Sequence, residues 1–512
     1  MKVTKKIGMK EGLSMTARAN IKTASEQPFS MKTILAPLLA IIFGMIMVIL
    51  DSTVVNVALA GFKKEFGSSL NTIQWTFTGY TLALAAVIPL AGWMTDKFGA
   101  KRVFIVTIVL FTIGSVLCAA AQTIEQLIVF RVAQGLGGGM VAPIGMAMIF
   151  RIAPPERRGS VMGMLGIPML MAPALGPILS GWLIESVSWH WIFLINLPIG
   201  ILAIVVGIKY LPRIEDKVAP MLDLPGMILA PIAFACIAYG VSEGGRIGWA
   251  ADRTLIALIV GGVAMLLLIV VELRHKQPLL ELRVFRSSDF TRGVLLTWIV
   301  QIALIGVMIL MPVFLQLNRG YTALETGLVM LPQALGSMLF MPIGGRLYDR
   351  IGVKLIAIVG LTIIAGAMFI LTGIRLDTPK LWILVPLFMI GSGSGLCMMS
   401  LNTHVMSAAP RRLVSRVTPL TTASQQVVAS FAIAGLTGFL TTRTKEHLAD
   451  IGQSGNPLDA SVSAYNDTFL ISVGLTLVGL ALSFLLRKPR VDPSDQPGTD
   501  VDQPDPAMMT GH

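Results

Sequence analysis

The stretch GWMTDKFGAK (Gly92–Lys101) recurs 253 residues later as GRLYDRIGVK (Gly345–Lys354). Glycine, aspartate, a cation, a second glycine and a final lysine keep the same offsets: Gly92/Gly345, Asp96/Asp349, Lys97/Arg350, Gly99/Gly352 and Lys101/Lys354. Each copy is preceded and followed by a long apolar run. A charged turn repeated at the same seam between two hydrophobic helices marks two related halves. In a membrane protein, duplicated halves are the architecture that rocks around a central site to move solute.

Composition supports the membrane reading. Charged residues make up 13% of the chain and hydrophobic residues 54%, whereas a soluble domain carries about a quarter charged residues. Apolar runs of roughly 20 residues, the length needed to cross about 30 Å of hydrocarbon, recur along the chain. Fourteen spans are expected, from 34–59 through 73–95, 126–148, 160–184 and 413–441 to 466–486. The net charge of +12 is not a nucleic-acid surface. With the N-terminus placed in the cytoplasm, 30 of the 40 lysines and arginines fall on that side and 9 on the other, with Arg131 inside a span. That asymmetry is the positive-inside pattern, and it places both termini in the cytoplasm of a multi-pass cell-membrane protein.

The fold class expected is an all-α polytopic membrane protein of two six-helix halves plus two inserted transmembrane helices. Residues 1–33 form an N-terminal tail, 34–210 the first half, 211–291 the inserted pair with its linkers, 292–487 the second half, and 488–512 a disordered Pro/Asp-rich tail. The turns can be equivalent and lie on one face only if an even number of spans separates the halves, and two satisfies this. The longest loop, around 442–465, reads as two dozen polar residues outside. A polar N-terminal stretch of about 30 residues reads as no cleavable signal peptide. Three cysteines, Cys118, Cys236 and Cys397, lie within spans and argue against disulfides and a metal site.

A charge at the bilayer centre costs at least about 2.5–3.5 kcal/mol and needs a partner or a wet cavity. Two ionisable residues lie well inside spans: Asp51 in the first and Arg131 in the fourth. Counting at 1.5 Å per residue places both roughly 7–12 Å below the outer surface, so a pair or a shared cavity is expected. Asp51 could bind and release a proton beside Arg131; the plainer reading is a static ion pair that positions helices. Gln134 shares the face of Arg131. In the fifth span Gly176, Pro177 and Gly181 belong to a small-residue face with a kink at the proline. Asn56, Gln134, Gln301, Gln333, Gln425 and Gln426 are candidates to line a substrate cavity. Asp96 and Asp349 can meet helix N-termini, where the macrodipole favours anions, while the flanking cations sit at the cytoplasmic lipid surface. The five histidines fall at span ends, in loops or in the tail and carry no signal.

These stretches resemble the major facilitator superfamily, specifically its fourteen-span drug:proton antiporter branch of the QacA/EmrB type. LDSTVVNVALAGF (50–62) is similar to the first-helix motif, which places that branch's membrane carboxylate on Asp51. GWMTDKFGAKR (92–102), which extends the turn to Arg102, is similar to the loop motif, with departures at Met94, Thr95 and Ala100. RVAQGLGGG (131–139) resembles the fourth-helix motif, whose arginine is implicated in proton coupling. APALGPILSGW (172–182) resembles the antiporter motif, with Ala172 and Ser180 in place of two glycines. Gln425 stands where relatives often carry arginine. The span count puts both copies of the repeat on the cytoplasmic face, so Gly92, Asp96, Gly99, Lys101, Arg102, Asp349, Arg350 and Gly352 are expected to gate the inner face. The resemblance further implies that the proton gradient supplies the energy without a cofactor.

The function expected is proton-coupled export of small lipophilic compounds by alternating access, not an enzymatic reaction. The expected partners are the lipid bilayer, small-molecule substrates and protons, with a periplasmic adaptor added if the host has an outer membrane. No nucleic acid is expected to bind. The alternatives are a specific exporter or importer of one metabolite, and a non-transporting membrane sensor.

Overall fold

Hydrocarbon offers no hydrogen bonds to a peptide group, so a spanning chain closes its backbone bonds within helices or a sealed barrel. The computed structural model is predominantly helical, with short turns between helices, over the described residues, which are 31–68, 70–166, 186–213, 223–275, 277–410, 413–451 and 456–486 with 176, 179, 182 and 183. Among these residues, thirteen helices are long and apolar enough to cross a membrane. The fifth expected span, 160–184, falls largely outside them, as do Pro177 and Gly181.

The first half comprises α1 (Met31–Phe66), α2 (Leu70–Val87), α3 (Ala91–Phe98), α4 (Ala100–Ala119), α5 (Ile124–Gly138), α6 (Val141–Ile152), α7 (158–166), α8 (Trp191–Leu194) and α9 (Asn196–Tyr210). The inserted pair is α10 (Leu224–Ile247) and α11 (Asp252–Arg274). The second half comprises α12 (Ser288–Val313), α13 (Ala323–Ile351), α14 (Val353–Leu371), α15 (Leu381–Ser407), α16 (Val414–Ile451) and α17 (Pro457–Ser483). Hydroxyls and one amide begin several of these helices. Thr123 accepts from the Gln126 N–H, Ser287 from that of Phe290, and Asn456 from that of Leu458. Thr322 and Glu325 form a reciprocal capping box. Two large buried clusters fill the molecule, one around Phe104, Phe111 and Phe150 and one around Phe314, Leu361 and Phe469.

One sequence expectation needs correction and two are sharpened. The repeated turn is reduced to one residue. Helix α3 runs to Phe98 and α13 to Ile351, so each reversal is a single glycine, Gly99 at φ 87° and Gly352 at φ 77°. Only a residue free of a Cβ adopts that conformation without strain. The fourth span is two helices, because GLGGGM breaks the ladder at Gly139–Met140. The loop expected at 442–465 is mostly helix, since α16 continues to Ile451 and α17 starts at Pro457. At 38 residues α16 is about 57 Å long, well beyond a hydrocarbon core. Polar residues there are compatible with helix because they pair: Arg443 Nε donates to Asp467 Oδ2 at 2.7 Å, and His447 Nε2 lies 2.8 Å from the same oxygen.

The inserted pair lies across the seam between the halves. Helix α10 packs on α2 of the first half and on α16 of the second. Trp75 stacks on Tyr239 with ring centroids 6.0 Å apart, and Gly245 lies against Ala434.

Candidate functional site

Asp51 lies in the middle of α1, and its neighbours spend their own polar groups locally. Ser52 Oγ donates to the Ile49 carbonyl at 2.8 Å and Thr53 Oγ1 to the Leu50 carbonyl at 2.9 Å. The carboxylate therefore turns to other helices. Arg131 Nη1 on α5 donates to Asp51 Oδ2 at 2.5 Å. Gln134 Nε2 donates to Oδ1 at 2.9 Å, and Asn196 Nδ2 donates to Oδ1 at 3.0 Å. Three donors on two oxygens are the environment of an ionised carboxylate.

Arg131 is held from several sides. Nε donates to the Thr76 carbonyl at 3.1 Å, Nη1 also donates to Gln134 Oε1 at 2.8 Å, and the guanidinium lies 3.8 Å from the centre of the Tyr80 ring. A cation over an aromatic face at this distance is favourable, more so when water is absent. Asn196 Nδ2 also donates to Ser115 Oγ, whose hydroxyl donates to the Phe193 carbonyl. Cys118 Sγ lies 3.4 Å from Gln134 Oε1. Asp51 is 1% exposed, and Arg131, Gln134 and Asn196 are 0% exposed. Toward the end of α1 that carries Phe62, an aromatic cluster of Phe62, Trp189 and Phe193 packs beside the site. The equal depth read from sequence thus becomes a direct pair, sealed rather than set in a wet cavity.

The second half holds amides in place of charges. Gln301 Nε2 donates to the Gln425 carbonyl at 3.1 Å, Gln425 Nε2 to Asn402 Oδ1 at 3.3 Å, and Trp298 Nε1 to Ser424 Oγ at 3.2 Å. Trp298, Asn402, Thr297, Thr421 and Gln425 line a small recess there. Gln426 is half-buried on the same helix, while Gln333 is buried on α13, where its carbonyl meets Gly391. The Asn56 side chain lies outside the described residues.

The repeated stretches cross between the halves. Asp349 Oδ1 accepts from the Gly159 N–H at 2.8 Å, and Oδ2 accepts from the Ser160 N–H at 2.9 Å and the Ser160 hydroxyl at 2.5 Å. These groups open α7, so the carboxylate sits at a helix N-terminus, as expected. Its counterpart Asp96 takes Arg416, in the first turn of α16, with Nε 3.3 Å from Oδ2. The paired glycines make this closeness possible. A Cβ on Gly92 would lie 2.6 Å from the Ser415 carbonyl oxygen, and a Cβ on Gly345 would overlap the Gly159 carbonyl. Of the flanking cations, Lys97, Arg102, Arg350 and Lys354 are exposed. Lys101 instead turns back onto the protein: Nζ donates to the Ile208 carbonyl at 2.7 Å, at the end of α9. Gly176 packs on Thr53 of α1.

Substituting Gly159 tests this contact. An added side chain meets the Gly345 carbonyl, so Gly159→Val should disfavour the closed arrangement by about 1–3 kcal/mol. Faster thiol labelling of a cysteine placed at the buried Met341 would show it; an unchanged rate would contradict it.

Sequence reading reached Asp51, Arg131 and Gln134 but not Thr76, Ser115, Phe193 and Asn196. Asn196 had a signal, since it is the polar residue in the apolar run FLINLPIG. Thr76 and Phe193 take part through backbone carbonyls, which leave no trace in side-chain identity.

A many-span helical protein whose repeated stretches meet the opposite half, with a charge pair sealed inside, has the fold of a membrane transporter. The chain belongs to the Major Facilitator Superfamily, whose family model matches residues 41–433. It is 37% identical over 404 residues to a multidrug resistance protein B homolog of Mycobacterium tuberculosis strain H37Rv, covering 78% of this chain and 75% of that protein. It is 29% identical over 474 residues to the lincomycin resistance protein LmrB of Bacillus subtilis, covering 92% and 98%. The structure of the proton:xylose symporter XylE bound to a bromo-deoxyglucose matches with a TM-score of 0.58 at 14% identity, over 88% of this chain and 96% of that one. That last likeness concerns the fold.

Proposed function

We propose that this chain exports small lipophilic compounds across the cell membrane in exchange for protons, without a cofactor, and that the face bearing the repeated stretches is cytoplasmic with both termini on that side. The observation that carries the reading is the sealed Asp51–Arg131 pair. A proton on Asp51 would cancel the charge that Arg131 faces and leave a buried cation with only neutral partners. Such a cation is costly where water is excluded, so protonation favours an arrangement in which Arg131 is rehydrated. Burial of the carboxylate in the closed-gate state, and its exposure in another, is what coupling a proton to alternating access requires. The names of the multidrug and lincomycin resistance relatives support drugs as the substrate class.

The amides of the second half support a division of labour, with the proton handled by the first half and the substrate by the second. They also favour a second reading, transport of a single polar metabolite that uses Gln301, Asn402 and Gln425 as its hydrogen-bonding partners. Purified protein in proteoliposomes with an internal pH dye decides between them. Proton movement on addition of several unrelated lipophilic drugs, lost in Asp51→Asn, is the expected result. A response to one metabolite alone would favour the second reading, and undiminished drug-driven proton flux in Asp51→Asn would sink the coupling role.

A further inference from the structure

A second group of buried carboxyls lies at the base of the inserted pair, remote in sequence from Asp51. Asp223 immediately precedes α10; its Oδ1 accepts from the Gly226 N–H at 2.9 Å and its Oδ2 from the Leu279 N–H at 3.3 Å. Glu272 lies in the last turn of α11, where Oε2 accepts from the Leu280 N–H at 3.2 Å. Glu281 follows in the segment that leads into the second half. Their exposures are 1%, 0% and 6%. A Cβ on Gly226 would lie 2.5 Å from Asp223 Oδ2 and 2.8 Å from Glu272 Oε1, so the two carboxyls converge over Gly226 and leave no room for a side chain there.

The hydrogen bonding does not suit three carboxylates. Glu272 Oε1 and Glu281 Oε1 are buried without a hydrogen-bond partner. The charged neighbours acting on Glu272 are Asp223 and Glu281, both acids. Arg283 on the short helix Leu282–Arg286 reaches Glu281 only at 3.9 Å; its Nη2 is engaged by the Leu273 and His275 carbonyls. His275 accepts from the Gln277 N–H, and Arg274 adjoins it at the helix end. Helix ends separate the two nearest acids. Asp223 caps the positive N-terminus of α10, which stabilises its anion, whereas Glu272 sits at the negative C-terminus of α11, which opposes one. Paired acids in environments of opposite sense divide into one ionised and one protonated. No group of acids, histidines or cysteines among the described residues has the arrangement to hold a metal ion.

We propose that Glu272 is a second proton-binding site, protonated in the folded protein, so that the Asp223–Glu281 cluster carries no further buried anion. The proton holds the base of the inserted pair to the 279–281 segment that joins it to the second half. Because α10 lies across the α2–α16 seam, its loss adds a negative charge to a sealed cluster and loosens that brace. On the topology proposed above, the compartment sensed is the cytoplasm, and the transporter responds to internal alkalinity.

Infrared difference spectra of the purified full-length protein, taken between neutral and alkaline pH, test the site. The expected result is a carboxylic-acid carbonyl band that disappears on alkalinisation, persists in Asp51→Asn and is absent in Glu272→Gln. If Glu272→Gln fails to fold, Asp223→Asn serves instead. Removing the neighbouring anion should move the band's midpoint to lower pH by about one unit or more. A band retained in Glu272→Gln, or a midpoint unmoved in Asp223→Asn, overturns the proposal. Sidedness is checked separately by labelling cysteines near residue 277 from either face. A reversed topology would change the compartment sensed but not the band.

Discussion

Arg131→Gln is expected to abolish transport and to lower the stability of the folded protein by about 3–5 kcal/mol, the usual cost of removing one partner of a buried ion pair. Asp51 would keep Gln134 and Asn196 as donors but lose its countercharge at 1% exposure. The loss includes the guanidinium stacked on Tyr80 and its bond to the Thr76 carbonyl. Neutralising both partners separates stability from function. Asp51→Asn/Arg131→Gln leaves no unpaired charge, so most of the lost stability should return, while proton-driven flux stays absent. Thermal unfolding of purified variants measures the first and proteoliposome flux the second. A double variant as unstable as Arg131→Gln would show that shape and hydrogen bonds, rather than charge pairing, hold the site.

Asp349→Asn should open the latched face more readily than Asp96→Asn. Asp349 accepts two backbone N–H groups and a hydroxyl from the start of α7, whereas Asp96 makes one 3.3 Å contact with Arg416. Hydrogen bonds to a charged group are worth about 1.5–3 kcal/mol each when buried. The site is partly exposed, so a net loss of about 1.5–3 kcal/mol is expected for the set. That corresponds to a shift of roughly 10- to 100-fold toward the state with this face open. For Asp96→Asn the expected shift is under about fivefold, the range of a partly exposed ion pair. Spin-label distance distributions between α3 and α16, and between α7 and α13, read both variants. Equal shifts would contradict the asymmetry, and unchanged distributions would remove the latch altogether.

Why Asp349 and Asp96 differ was not legible in their sequences, which occupy matching places in the repeat. The difference lies in what each meets. One meets bare N–H groups at Gly159 and Ser160, and the other meets a side chain, Arg416. Similarly, the repeat identified Gly92 and Gly345 as sites of close approach, but not that each approaches the opposite half. The polar run 442–465 reads as a loop from its composition, yet polarity there does not mean irregularity. Arg443, His447 and Asp467 instead pair across two helices that extend past the hydrophobic zone. Glu272 lies one residue past an expected span (254–271) and Asp223 at the very edge of another (222–242), where an acid is ordinarily solvated, so neither carries a signal in the sequence. Only the fold shows that neither touches water.

By itself the sequence determined that the chain is a many-span helical membrane protein, and where along their helices the two buried charges fall. Those properties are local: a run of apolar residues must hydrogen-bond its own backbone in lipid, and depth follows from counting along one helix. The tertiary structure alone decided that Asp51 and Arg131 are sealed with Asn196 and Tyr80, that each repeated stretch contacts the opposite half, and that α10 bridges the seam. Each depends on how a helix is rotated about its axis and which neighbour it meets. In a bilayer that choice is made by close packing and interhelical hydrogen bonds rather than by hydrophobic burial. A hydropathy pattern therefore records where a helix lies in the membrane but not which helices it touches.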